Sequence, residues 1–297
     1  MYYIIYGFLY SISLLPFFIL YRISDFIYVI IYYLLGYRKA VVLENIGIAF
    51  PEKTLEQKTK IAKQFYKNLI DTFIETIKLL SITEKEFNKR CTIDFDKAIA
   101  IANKGKSIQF HSGHQMNWEY VNWAVVKKMP IPFVGIYQAL ASKPFNRLFL
   151  KIRGKYGTQL VSTRAFKNKM HEVFKQQYCI GLAADQNTHP EVGQWLYFFS
   201  KPAPFITGPE KGAIKNNTAV VFVAFEKTKR GHYHFSTTVM TEDGATMQPG
   251  QLTRMYRDLL EQTITKNPDN YLWSHRRWRH DYNAAYQHQW IDDRPLP

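Results

Sequence analysis

The sequence predicts an α/β fold: a mixed, largely parallel central sheet flanked by helices, with an N-terminal membrane-anchor helix. Three observations carry this expectation. Short β-rich runs alternate with helical patterns from Cys91 to Lys266. The first 21 residues, Met1 to Tyr21, carry no charge. No low-complexity linker or internal repeat interrupts residues 37–297, so they read as one domain behind an anchor and interfacial segment at 1–36.

The uncharged N-terminal run would span roughly 30 Å as a helix, the thickness of a bilayer core. Pro16 weakens it little, because proline is tolerated in membrane helices. Phe26 to Tyr37 forms a second apolar run, too short to span and rich in tyrosine, as interfacial helices are. A cleaved signal peptide fits poorly, since no basic residue follows Met1 and no cleavage site follows the run. Basic residues begin at Arg22, Arg38 and Lys39, which predicts that the bulk of the chain stays cytoplasmic.

Beyond Pro51, Thr54 and Gln57 have the spacing of a capping box. Ile61, Phe65, Leu69, Phe73, Ile77 and Leu80 then recur at helical spacing through 55–80, with Lys58, Lys60, Lys63 and Lys67 on the other face. Strands are expected at 91–95, 107–111, 131–137, 159–162 and 178–184, with helices at 97–103, 117–128, 144–156 and 166–177. Two β-rich runs, 218–226 and 232–240, flank Lys229-Arg230-Gly231, and a last helix covers 252–266.

Composition bounds the function. Apolar residues are 46% of the chain and charged residues 21%, enough for a real core. Lys plus Arg is 39 against 24 Asp plus Glu, a net charge of +15. The first 36 residues hold one Arg and one Asp, so the whole excess lies in 37–297 and calls for an acidic partner. Two cysteines, Cys91 and Cys179, offer neither metal spacing nor a disulfide framework, which suits a reducing compartment.

The densest cluster of chemically capable side chains is His111-Ser112-Gly113-His114-Gln115-Met116-Asn117-Trp118-Glu119, between a strand and a helix. Ligand sites of α/β sheets collect at such strand ends. His114 and Glu119 lie about 140° apart on a regular helix. They can meet only if a turn follows His114 and the helix starts near Met116 or Asn117, which places Glu119 in its first turn. A histidine held by a carboxylate is a general base of fixed tautomer, and amides at the helix start could stabilise an oxyanion. A metal site of His111, His114 and Glu119 lacks a known ligand spacing, and His111 reads as a satisfied core histidine. No G-x-S-x-G elbow, G-x-G-x-x-G or Walker loop is present.

Ser112-Gly113-His114 followed by Asn117-Trp118-Glu119 resembles the signature of the lipid A biosynthesis lauroyl/myristoyl acyltransferases, within the lysophospholipid acyltransferase superfamily. Other blocks follow in the family's order. They are Arg38 with Asn45 to Pro51-Glu52; Lys143-Pro144-Phe145-Asn146 with Arg153 and Gly157; Asp185-Gln186; Phe198 to Ala203; Gly208-Pro209; and Asn267-Pro268 through Trp273 to Arg276-Arg277-Trp278. Together they cover roughly 38–280. Gln115, Met116 and Gln138 depart from the family's usual residues, which implies a divergent branch.

The resemblance implies a membrane-bound acyltransferase without a cofactor or metal. It would move a fatty acyl chain from an acyl thioester, carried by acyl carrier protein, to a hydroxyl of a lipid A precursor at the cytoplasmic side of a bacterial inner membrane. Both substrates are acidic, which suits a basic body. His114 would take the hydroxyl proton and Glu119 would orient His114, with the lipid itself as nucleophile. Asn117, Arg153, Asp185, Gln186, Arg276 and Arg277 are the expected substrate-binding residues; Arg153 and the two tail arginines would meet phosphate or headgroup. Trp118 is expected to pack beneath the site. Two other readings exist: an acyltransferase for a phospholipid or aminolipid, and a basic non-enzymatic membrane or nucleic-acid binder. The second lacks a recognisable nucleic-acid fold and conflicts with an anchor.

Overall fold

The structure is a computed structural model that describes residues 1–297, the side chain of Lys167 excepted. Five helices come first: α1 (Tyr2–Leu14), α2 (Phe17–Val29, continued by one wide turn to Leu34), α3 (Lys39–Ala49), α4 (Leu55–Lys78) and α5 (Glu84–Arg90). The α/β body follows as β1 (Cys91–Asp94), α6 (Asp96–Asn103), β2 (Ile108–Ser112), α7 (Trp118–Lys128), β3 (Phe133–Tyr137), α8 (Lys143–Gly154), β4 (Gln159–Ser162), α9 (Phe166–Val173) and β5 (Cys179–Ala183). The chain ends with the β6–β7 pair (Gln194–Phe198, Lys201–Phe205), α10 (Gly208–Asn216), β8 (Ala219–Lys229), β9 (His232–Thr241) and α11 (Gln251–Lys266).

Seven strands form one sheet in the order β1-β9-β8-β2-β5-β3-β4. All neighbours are parallel except the β8–β9 hairpin, so the sheet is mixed and largely parallel, as the alternation predicts. The central strand β2 is buried from Ile108 to His111, with Ser112 half-buried at its carboxyl end. Parallel strands covered on both faces read as continuous apolar runs, which is why they are visible in the sequence. Two apolar clusters cover the two faces. One joins α2, α3, α4 and α11 to the β6–β7 pair; the other joins α5, α6 and α7 to β1, β8 and β9.

The N-terminal expectation needs correction. Met1 to Tyr21 is not one helix: it breaks at Pro16 into α1 and α2, each 13 residues long. A proline ring cannot donate to the carbonyl a turn earlier and clashes with it. The carbonyls left at the break are taken by the body, since Lys78 Nζ donates to Ser13 O (2.7 Å) and Leu15 O (2.9 Å). The helix long and apolar enough to cross a membrane is Phe17–Leu34. Its polar side is docked along α4. Tyr21 Oη donates to Glu75, Ser24 Oγ to Asp71, and Asp25 accepts from Arg230. Its other side is bare. Thirteen of the twenty large hydrophobic side chains left exposed lie in residues 1–37, which makes this the apolar face of the molecule.

α4 begins as predicted: Thr54 Oγ1 accepts from Gln57 N while Gln57 Oε1 accepts from Thr54 N. Its inner face carries Phe65, Tyr66, Leu69, Ile70 and Ile74 into the core. The same face buries Asp71 and Glu75, which the apolar periodicity does not reveal.

Candidate active site

β2 and β5 are parallel neighbours, with Ser112 opposite Ala183. Two residues beyond each register partner stand His114 and Asp185, so both emerge at the same carboxyl end of the sheet. His114 Nδ1 lies 2.6 Å from Asp185 Oδ1, and the backbone amide of His114 donates to Asp185 Oδ2 at 2.8 Å. The carboxylate thus grips both ring and backbone. Gly113 permits this approach: a β-carbon there would stand 2.4 Å from Leu260 Cδ1 and 3.5 Å from Asp185 Oδ2.

Glu119 stands where the sequence places it, in the first turn of α7, whose N-cap is Asn117. It does not orient His114. Its carboxylate is held by Arg153 through three contacts, Nε at 2.9 and 3.0 Å and Nη2 at 2.6 Å. The physical reason is directional. Asp185 leaves a strand beside that of His114, whereas Glu119 sits on the helix surface facing α8, which carries Arg153. The carboxylate in contact with the His114 ring is thus that of Asp185, while Glu119 meets Arg153.

Electrostatics follow from this pairing. Burial would depress the His114 pKa, but the Asp185 charge and hydrogen bond outweigh it; Arg153 opposes them, and the net shift is upward. For Asp185, burial would raise the pKa, but the charge and hydrogen bonds of His114 hold it below the usual carboxylate range. Asp185 is 1% exposed, while the His114 side chain keeps 26% of its surface open. With Nδ1 occupied by Asp185, Nε2 is the nitrogen left to act.

The loop between β2 and α7 is held on every side. His114 O accepts from Leu272 N and Met116 N donates to Asn270 O. Asn117 is fully buried: Nδ2 donates to Glu75 Oε2 at 2.7 Å and Oδ1 accepts from Tyr120 N. Both polar atoms of its amide are thus engaged within the protein. The amides of His114, Gln115 and Met116 are occupied by Asp185, Gly113 and Asn270. These three amides are therefore not free to serve as oxyanion donors.

The remaining predicted site residues separate. Gln186 is half-buried next to Asp185. Arg276 is exposed, but Arg277 is 1% exposed, with its guanidinium carbon 4.3 Å from the Phe205 ring centre and 5.3 Å from that of Phe198. None of its side-chain nitrogens has a hydrogen-bond partner among the described residues. Arg276 thus faces outward, whereas Arg277 and the neighbouring Trp278 are both buried. Trp118 is half-buried, edge-on to His114 at 6.4 Å. His111 is a core histidine, its pKa lowered to about 4 by burial, with the Gln109 amide beside Nε2 at 2.9 Å.

Two sequence blocks prove to be structural partners. Arg38 Nη1 donates to Ser274 O, and Asn45 Nδ2 to the carbonyls of Trp273 and His275. The N-terminal block thereby fixes the C-terminal block that closes over the His114 loop. Glu75, whose carboxylate holds Asn117 beside the His114 loop, is the residue that sequence reasoning missed. An acidic residue on the buried face of an otherwise amphipathic helix is the signal that could have found it.

A protein-family model described as bacterial lipid A biosynthesis acyltransferase matches residues 1–280 of the 297. No curated protein matches the chain.

Proposed function

Because the chain belongs to the bacterial lipid A biosynthesis acyltransferase family and is an acyltransferase, we propose that it moves a fatty acyl chain from acyl carrier protein to a hydroxyl of a lipid A precursor. His114 is the base. The observation that carries this reading is the 2.6 Å contact of His114 Nδ1 with Asp185, which leaves Nε2 open to the substrate.

The steps balance without an enzyme nucleophile. The lipid O–H gives its proton to His114 Nε2 as its oxygen attacks the thioester carbonyl. Asp185 orients the ring and stabilises the imidazolium, as a buried carboxylate does. The tetrahedral intermediate collapses, the C–S bond breaks, and the imidazolium returns its proton to the leaving thiolate. Arg153, oriented by Glu119, brings a cation whose charge reaches His114, suited to the developing oxyanion. Gln186, next to Asp185, and Arg276, on the surface, remain the substrate-binding candidates.

The bare apolar side of α1 and α2 attaches the protein to the cytoplasmic face of the inner membrane, where the acceptor resides. With its polar side bound to α4, α2 lies against the body, and the reacting hydroxyl need not leave the bilayer surface.

The test is mass spectrometry of total lipids from a deletion strain, complemented with the wild-type chain or with His114→Ala. Restoration of one acyl chain on lipid A by the wild type alone supports the reading. Restoration on another lipid class would reassign the acceptor. Stoichiometric trapping of labelled acyl groups on the protein would overturn direct attack by the lipid.

A further inference from the structure

A groove of about 760 Å³ runs between the C-terminal part of α2 and the N-terminal half of α4, lined by Tyr28, Tyr33, Leu55, Lys60, Lys63 and Lys67 among others. The three lysines share one face of α4, at i, i+3 and i+7. All three are exposed, and none forms an ion pair among the described residues. Glu56 is the lone carboxylate in the lining. Lys67 Nζ stands 5.4 Å from the Tyr28 ring centre, so the ammonium row and the aromatic wall meet.

The far wall is apolar and open. On the α2 side Tyr33 is 58% exposed, and Leu34 and Leu35 just beyond it 74% and 67%; Leu55, the first residue of α4, adds a further side chain that is 74% exposed. This wall continues the bare face of α2. The groove therefore offers cations on one side and apolar surface on the other, at the edge of the face that would meet a bilayer.

It is separate from the catalytic site. Lys67 is eight residues before Glu75, the residue of α4 that reaches the catalytic loop through Asn117, and Lys60 lies seven residues further off. At about 1.5 Å per residue the lysine row begins roughly 12 Å along the helix from Glu75. An adjoining cavity of about 480 Å³ shares Tyr28, Gln64 and Lys67, but its other charges, Asp25, Asp71, Lys227 and Arg230, neutralise one another.

We propose that the groove between α2 and α4 binds an anionic phospholipid of the surrounding membrane, its phosphate on Lys60, Lys63 and Lys67 and its chains against Tyr28, Tyr33 and Leu55. This rests on membrane attachment through α1 and α2. The lysines alone would attract any acidic partner; the apolar wall and its continuity with the bare face of α2 select a lipid.

The full chain, purified in zwitterionic detergent and stripped of lipid, is titrated with phosphatidylglycerol or with phosphatidylcholine of the same chains, and bound lipid is counted by native mass spectrometry. Phosphatidylglycerol is retained preferentially. Lys60→Gln/Lys63→Gln/Lys67→Gln binds it on the order of tenfold more weakly, while Glu56→Gln retains more. Equal retention of both lipids by the wild type, equal retention of phosphatidylglycerol by the triple variant, or displacement by inorganic phosphate or an acidic carrier protein as readily as by lipid would overturn the proposal. Membrane fractionation is read in parallel. A triple variant that stays in the membrane but loses phosphatidylglycerol supports the groove, whereas loss of the wild type from the membrane would sink the attachment reading instead.

Discussion

His114 Nδ1 and Asp185 Oδ1 are 2.6 Å apart because Ser112 and Ala183, two residues before each, are register partners of adjacent parallel strands. The proposed base and the carboxylate that holds its ring are therefore positioned by the sheet itself. His114→Ala should lower turnover by about a hundredfold or more. Asp185→Asn should do so by a similar amount, because the amide cannot stabilise the imidazolium. Steady-state kinetics on folded protein checks both; retention of more than a few per cent of activity by His114→Ala would remove the base from this residue.

The same contact sets the pH profile. Asp185 raises the His114 pKa above its ordinary 6.5, so the acid limb of kcat/KM should fall above that value. In Asp185→Asn, burial and the Arg153 charge remain and both lower the histidine, so the residual activity should persist to lower pH. An acid limb that does not move would show that another group titrates. The stability signs are opposite for the two groups. The contribution of Asp185, with its depressed pKa, is lost as pH falls through its folded value. That of His114, with its raised pKa, is lost as pH rises through its own. Both are present between those limits.

Glu119 and Arg153 form a pair in which one member is almost fully buried and the other 27% exposed. Arg153→Met leaves a buried carboxylate without a partner and should cost about 3 kcal/mol of stability. Arg153→Lys should recover only part of it, because a single ammonium cannot reproduce the forked contact. Adding Glu119→Gln to Arg153→Met removes the stranded charge, so the double variant should be more stable than Arg153→Met alone. Denaturant unfolding decides; additive single effects would mean the pair does not couple.

Arg277 supplies the converse case. Its guanidinium is buried with no hydrogen bond, so replacement by Met relieves a desolvation cost and loses contacts with two aromatic rings. These oppose each other, and Arg277→Met should change stability by only about 1 kcal/mol. The KM for the lipid acceptor should be unchanged. A severalfold rise in KM without a change in kcat would put Arg277 back in contact with a headgroup.

The sheet was legible in the sequence because its buried strands are apolar runs separated by helical periodicity. The β6–β7 pair was not, since Lys201–Phe205 contains two prolines and shows no alternation. The start of α7 just after the His114 loop was legible in the sequence. The partner of His114 was not, because His114 and Asp185 are 71 residues apart and meet only through strand register, which one chain read alone does not display. Arg277 shows the same limit: a basic tail has no marker for which arginine turns inward.

Glu75 ties the N-terminal helices to the His114 loop. Its carboxylate accepts from Tyr21 Oη on α2 at 2.9 Å, from Tyr233 Oη at 2.7 Å and from Asn117 Nδ2 at 2.7 Å. Burial raises its pKa, and Lys227 draws it partly back. Glu75→Leu strands three buried donors at once and should cost about 3 kcal/mol or more. Glu75→Gln keeps an acceptor oxygen and sheds the buried charge, so it should cost clearly less. Because Asn117 caps α7 and borders the His114 loop, Glu75→Leu should also lower kcat, with less effect on KM. Thermal unfolding and kinetics on the same preparations separate the effects. If Glu75→Leu melts early but keeps its kcat, Glu75 holds the helices together without setting the geometry of the catalytic loop.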